Sequence, residues 1–243
     1  MHGAHAVRRY PGDPSGPVAF IDHVSPRACG LLRNSAWPAK GRQPVSVMER
    51  AVTDYLARPS EPESPVQLQG LLDCIETALQ PLAGHSKDFP EEDLWDLGGS
   101  IALILPFDQQ INVVRAGDFR VVRLRAGQLD VLAREHTLRA QLEHQGQAIP
   151  SDAGGNIIVA YLGGHVRSPS DAITTGDVQV GDRIAIFEHP GTRPLEEDLA
   201  ILTSVHHLPP AQSAQTILDA LVERAAAPDQ RLARAVAIID VVA

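Results

Sequence analysis

The chain has only two cysteines, Cys29 and Cys74, and neither sits in a Cys-x-x-Cys pair or a zinc-ligand spacing. A disulfide framework is therefore excluded, and two packing thiols in a reducing compartment are expected. No run of Lys or Arg breaks the formal charge of -9, which argues against a partner with a phosphate backbone. No apolar run approaches the roughly 20 residues that a membrane span needs. The start, Met1 to Tyr10, is polar with Arg8 and Arg9 and lacks the apolar core of a secretion signal. A glycine-rich nucleotide loop, a Gly-x-Ser-x-Gly elbow and a cysteine-nucleophile setting are all missing. These absences lead us to expect a soluble, cytoplasmic protein with neither nucleic acid nor membrane as partner.

What is present is enough apolar material for a full core: 44% of 243 residues, a length that suits one large domain better than two small ones. One domain is expected over 1–243, with 1–16 a loose N-terminal segment. Val18 to Ile21 reads as a buried strand ending at Asp22-His23, followed by an irregular stretch through Trp37 and Pro38. Apolar residues at helical spacing predict helices over Pro44 to Leu56 and Val66 to Leu82. Ile101 to Phe107, Ile111 to Ala116, Phe119 to Leu124 and Leu129 to Leu132 then read as an antiparallel meander with short polar turns. A helix over Thr137 to Gln145, strands over Ile157 to Leu162 and Ile184 to Phe187, helices near Leu195 to Thr203 and Ala211 to Ala226, and a final strand over Ala235 to Val242 complete the pattern. The order predicts an α+β fold: two antiparallel β-sheets packed as a sandwich and flanked by helices.

Within this frame one stretch stands out. Gly181-Asp182-Arg183 leads into the apolar Ile184 to Phe187, which ends at Glu188-His189-Pro190. Earlier come Gly99-Ser100-Ile101, Ala116-Gly117-Asp118-Phe119-Arg120, Leu132-Ala133-Arg134-Glu135-His136-Thr137-Leu138 and Asn156 to Gly163. In order and spacing these segments resemble the metal-dependent type-2C (PPM-type) serine/threonine protein phosphatases from about Gly98 to Val242. The resemblance implies a two-cation centre whose bridging water attacks a phosphate, with an arginine on the phosphoryl oxygens. Hard cations of that kind take anionic oxygen ligands.

The family's ligand positions are only partly matched. Its early Arg, followed five residues later by Asp, falls on Arg8 and Asp13; a rival placement sets Arg-Asn-Glu-Asp on Arg33-Asn34-Ser35-Ala36. Its strand ending in Asp-Gly falls on Asp22-His23. Its Ser-Asp-Gly falls on Glu188-His189-Pro190, and its Asp-Asn on Leu232-Ala233. The implied residues are thus Arg8 for phosphate and Asp13, Asp22 and His189 for a residual or rearranged metal site, with His23, Glu188 and Asp229 as further candidates. Asp118 and Arg120 read as structural turn residues, away from the metal positions.

Two functions follow from the resemblance. One is a pseudophosphatase that keeps the fold, holds no metal or only weakly held Mn²⁺ or Mg²⁺, and binds a protein partner, a phosphoprotein or a kinase. The other is a serine/threonine phosphatase with a reduced centre built from Asp13, Asp22 and either His189 or Asp229.

Overall fold

In the computed structural model, residues 2–8, 18–24, 27–34, 44–58, 65–84, 98–107, 109–148, 157–163, 169–188, 195–223 and 234–242 are described. The strands are β1 (His2–Arg8), β2 (Val18–Val24), β3 (Arg27–Asn34), β4 (Gly98–Phe107), β5 (Gln110–Ala116), β6 (Phe119–Arg125), β7 (Gln128–Ala133), β8 (Leu162–Gly163), β9 (Ile173–Asp177), β10 (Arg183–Glu188) and β11 (Arg234–Asp240). The helices are α1 (Pro44–Leu56), α2 (Pro65–Gly84), α3 (Leu138–His144), α4 (Leu195–Ser204) and α5 (Pro210–Glu223). One sheet runs β1-β11-β10-β6-β7 and the other β2-β3-β4-β5-β9, with β8 attached to β4. Every strand pairing is antiparallel.

The period-two pattern of each strand sorts its side chains into three apolar layers. Between the sheets lie Cys29, Leu31, Ala102, Ile104, Val113, Phe119, Val121, Ile184, Ile186, Ala237 and Ile239. The alternate residues of the second sheet, among them Leu32, Ile101, Leu103 and Val114, pack against α1 and α2 through Met48, Leu71 and Ile75. Ala185, Phe187, Val236 and Ile238 of the first sheet do the same against Ile217, Leu218 and Leu221 of α5. A strand covered on both faces reads as a continuous apolar run rather than an alternation, which is how the central strands appear in the sequence.

The expected sandwich is the one found, with five local differences, one of which is β9 (Ile173–Asp177), a strand that was not expected. The segment 1–16 was expected to be loose, yet His2–Arg8 form β1, which pairs with β11 from His2↔Asp240 to Arg8↔Arg234. The apolar final strand offers an edge of backbone donors and acceptors, and these are satisfied by a partner whose own side chains give little strand signal. The stretch read as irregular contains β3, whose Gly30 weakens a propensity reading. The meander is divided, because β4 and β5 belong to one sheet and β6 and β7 to the other. The change of sheet takes place at Gly117, whose φ of 93° is open to glycine. Finally, Ile157 to Leu162 gives only a bridge from Ile158 to Thr137 and the two-residue β8.

Gly30 explains why β3 can lie so close to β4. A Cβ at that position would come within 2.0 Å of the Ala102 carbonyl oxygen and 2.8 Å of Leu103 Cα. Gly30→Ala is therefore expected to destabilise the fold by about 1–3 kcal/mol in urea unfolding. Gly176→Ala, whose Cβ would meet only Leu132 Cδ2 at 3.5 Å, is the comparison expected to stay within about 0.5 kcal/mol of the parent.

Candidate functional site

Three chain segments deliver charge to one end of the sandwich. The register sets Arg33 of β3 opposite Ser100, Ile101 opposite Ala116, and Glu188 of β10 opposite Phe119. The end of β3, the β5–β6 turn and the end of β10 are thereby neighbours although they come from different sheets. Arg33 spans them: Nη2 lies 2.7 Å from Asp118 Oδ2 and Nη1 lies 2.6 Å from Glu188 Oε2. The three side chains are buried, with 5%, 12% and 1% of their surface exposed. One guanidinium thus faces two carboxylates in a setting with little water, where such contacts are stronger than at a surface and each charge is costly to leave alone.

The surroundings hold this triad in place. Asn34 Oδ1 accepts from the Val45 amide at 3.1 Å, which ties the end of β3 to the first turn of α1. The Asp118 amide reaches Ser100 Oγ at 3.5 Å, and a Cβ on Gly117 would strike that same oxygen at 2.0 Å. Behind the triad, Arg120 Nε and Nη2 donate to Glu135 Oε2 and Oε1, both at 2.6 Å, and each side chain is 1% exposed. This fork-to-fork pair fixes the Gly-Asp-Phe-Arg segment against the Glu-His-Thr segment, and the His136 amide adds a bond to the Gly117 carbonyl at 2.7 Å.

A second polar group lines a cavity of about 440 Å³ beside α3 and the end of β7. Arg115 Nη1 is 2.6 Å from His136 Nε2, and Nη2 donates to Asp171 Oδ2 at 2.6 Å. A guanidinium nitrogen can only donate and a carboxylate oxygen can only accept, so Nε2 sits between the two and the tautomer of the ring sets which of them it pairs with. Asp171 Oδ1 lies 3.1 Å from the same Nε2. Burial, aided by the positive charge of Arg115, pulls the His136 pKa from 6.5 down to about 4, against the opposing influence of Asp171 and Glu135. Burial raises the Asp171 carboxyl, but Arg115 and His136 outweigh it and hold it below the usual value.

The residues implied by the family resemblance are placed unevenly. Asp22 is exposed on β2, opposite Cys29, whose Sγ donates to Asp22 Oδ1 at 3.4 Å. No described contact brings it to the triad. Asp13, His189, Asp229 and Leu232-Ala233 lie outside the described residues, as do the side chains of Arg8 and His23. Among the described residues, no three His, Cys, Asp or Glu side chains gather as a metal site. Asp118, read as a structural turn residue, pairs with Arg33 beside Glu188. Arg33 entered the sequence reading only through the rival alignment; its meeting with Asp118 and Glu188 was not expected. Its sequence signal is a polar pair, Arg33-Asn34, closing an apolar strand just before α1.

No protein-family model matches the chain. In sequence it is 27% identical over 143 residues to the serine/threonine protein phosphatase PstP of Mycobacterium tuberculosis, an alignment of 57% of this chain. The chain spans 27% of the length of the curated relatives it matches. Among solved structures, the catalytic domain of PstP in complex with two manganese ions superposes with a TM-score of 0.71 at 21% identity, covering 99% of each chain. Stp1 of Staphylococcus aureus gives 0.73 at 13%, covering 100% of this chain and 96% of that one. PppA of Pseudomonas aeruginosa, described as a key regulatory component of T6SS, gives 0.70 at 14%, covering 98% and 97%.

The buried neutral histidine makes a testable statement about stability. Between pH 6.5 and about 4 the unfolded chain binds a proton at His136 that the folded chain does not. The contribution of this group is thus complete above pH 6.5 and is lost as pH falls. From pH 7 to pH 5 the loss is expected to be about 2 kcal/mol in urea unfolding. His136→Gln should show a smaller loss over the same interval.

Proposed function

Starting from a chain that has the PPM-type serine/threonine phosphatase fold and resembles that family in sequence, we propose that it is a pseudophosphatase: a domain that binds a phosphoprotein or kinase partner and holds Mn²⁺ or Mg²⁺ weakly or not at all. The observation that carries this reading is Arg33, placed 2.7 Å from Asp118 and 2.6 Å from Glu188. In the family pattern the strand leading into the first helix ends in Asp-Gly. Here the strand that leads into α1 is β3, and it ends in Arg33-Asn34. Glu188 stands where the pattern has serine, at the end of the strand that carries another metal aspartate. A fixed cation thus occupies the meeting point of two strand ends that would otherwise direct oxygen ligands to divalent ions. The described donors do not fit a two-cation centre: two carboxylates already share one guanidinium, and a divalent ion would have to enter beside it against its charge.

The rest of the fold supports a binding role, because a full core kept beside altered chemistry is most simply a recognition module. Partner recognition by phosphate through Arg8, and residual metal ligation by Asp13 and His189, belong to the same proposal and rest on sequence alignment alone; Asp22, exposed on β2, is not on the strand that leads into α1. A second reading, a working phosphatase with a rearranged centre, is favoured by the 27% identity to a serine/threonine protein phosphatase.

Hydrolysis of p-nitrophenyl phosphate and of a phosphothreonine peptide, with and without millimolar Mn²⁺, separates the two. The proposal expects no Mn²⁺-dependent turnover and no heat of Mn²⁺ binding by calorimetry. Mn²⁺-dependent turnover that a chelator abolishes would overturn it in favour of the enzyme. Arg33→Met removes the fixed cation from two buried carboxylates and is expected to lose about 3–5 kcal/mol of stability. Millimolar Mn²⁺ should restore part of that loss in the variant and leave the thermal midpoint of the parent unchanged.

A further inference from the structure

The cavity beside α3 has no part in the metal chemistry of the family pattern or in the triad, yet it is built like a ligand site. Its volume, about 440 Å³, lies in the range of small-molecule sites. It continues the layer between the sheets. Ile111 and Val113 point into that layer from β5, and Arg115 follows two residues later on the same face. Leu132, Ala133, Ala140 and Val159 supply apolar wall. Val159 and nearby Ile157 are exposed by 36% and 54%, which is unusual for large apolar side chains among the described residues.

The polar end is equally specific. Arg115 is only 4% exposed, and its carboxylate partner, Asp171, has 61% of its side chain in water. A buried arginine has therefore been given a partner from the surface. Its other neighbour, His136, brings no negative charge, so Asp171 is the carboxylate that an incoming anion would replace. Arginine recognises a carboxylate through two parallel N–H donors. A ligand carboxylate can take the place of Asp171 with little electrostatic change, since the released aspartate regains its water. The net gain then comes from the apolar body that the ligand carries into the cavity.

From this arrangement we infer that the cavity binds a small carboxylic acid with an apolar body, its carboxylate on Arg115 in exchange for Asp171 and its body against Leu132, Ala140 and Val159. This site stands whether or not the strand-end triad excludes metals, so its failure and the failure of the pseudophosphatase reading are separate results.

The test uses the full chain, with phenylbutyrate as probe and phenylbutanol as the uncharged control. Titration is followed by calorimetry and by amide chemical shifts in the nuclear magnetic resonance spectrum. Phenylbutyrate is expected to shift amides around Arg115, His136, Thr137 and Asp171, and to bind at least about tenfold more tightly than phenylbutanol. Asp171→Asn, which removes the competing carboxylate and leaves the wall intact, should tighten binding about threefold or more. Arg115→Gln should weaken it about tenfold. The inference is overturned if the alcohol binds as well as the acid, if the shifts fall elsewhere, or if Asp171→Asn weakens binding. Because Asp171 is exposed, its variant keeps the test decisive even if Arg115→Gln fails to fold.

Discussion

Both sheets are covered on both faces, so a charged side chain pointing inward from a strand finds neither water nor room except where the sandwich ends. Arginine solves this repeatedly in the same way, by reaching from one sheet to a partner on the other side of the gap. Arg33 leaves the β3 sheet for Glu188 at the end of β10, and Arg115 leaves β5 for His136 beyond β7. At the opposite end Arg123 of β6 donates to the carbonyl and carboxylate of Asp177 on β9. The apolar layer binds the sheets through the middle, where attraction has no preferred direction. The arginines act at the rims, where hydrogen bonds fix direction and distance. Burying apolar area makes the sandwich cohere, and these contacts set how its strand ends meet.

The same division explains how much could be read in the sequence. Pro44 to Leu56 was legible as a helix to the residue, because an amphipathic helix announces its buried face every third or fourth position. The central strands were legible as apolar runs. β3 was not, because Arg27-Ala28-Cys29-Gly30 has little strand propensity and owes its place to the close approach that Gly30 permits. β1 was not, because its strand state is supplied by the edge of β11 rather than by its own side chains. The division of the meander depends on a single glycine with positive φ, and nothing in the flanking strands marks that turn as a change of sheet.

At the site, Glu188 could be singled out from the strand that ends on it, and Gly-Asp-Phe-Arg from its order relative to the other segments. Their meeting could not. Asp118 and Glu188 are 70 residues apart, and Arg33 is 85 residues before Asp118. Only the antiparallel register of both sheets brings them together. A residue-by-residue comparison asks which ligands are kept or lost, and it does not ask which side chains of other strands lie against them. Similarly, the cavity beside Arg115 is lined by the Leu132 to Thr137 segment that carries part of the resemblance, but nothing in that stretch marks Arg115 and Asp171 as its neighbours.

A divalent ion held by carboxylates comes and goes with its concentration in the surroundings, and a chelator can strip it. A guanidinium carried on β3 has no such exchange. It is present at a fixed stoichiometry from the moment the chain is made, and it stays charged throughout the range in which proteins remain folded. The contact that joins the strand ends around Asp118 and Glu188 is therefore made from the chain alone and needs no ion from the surroundings to form.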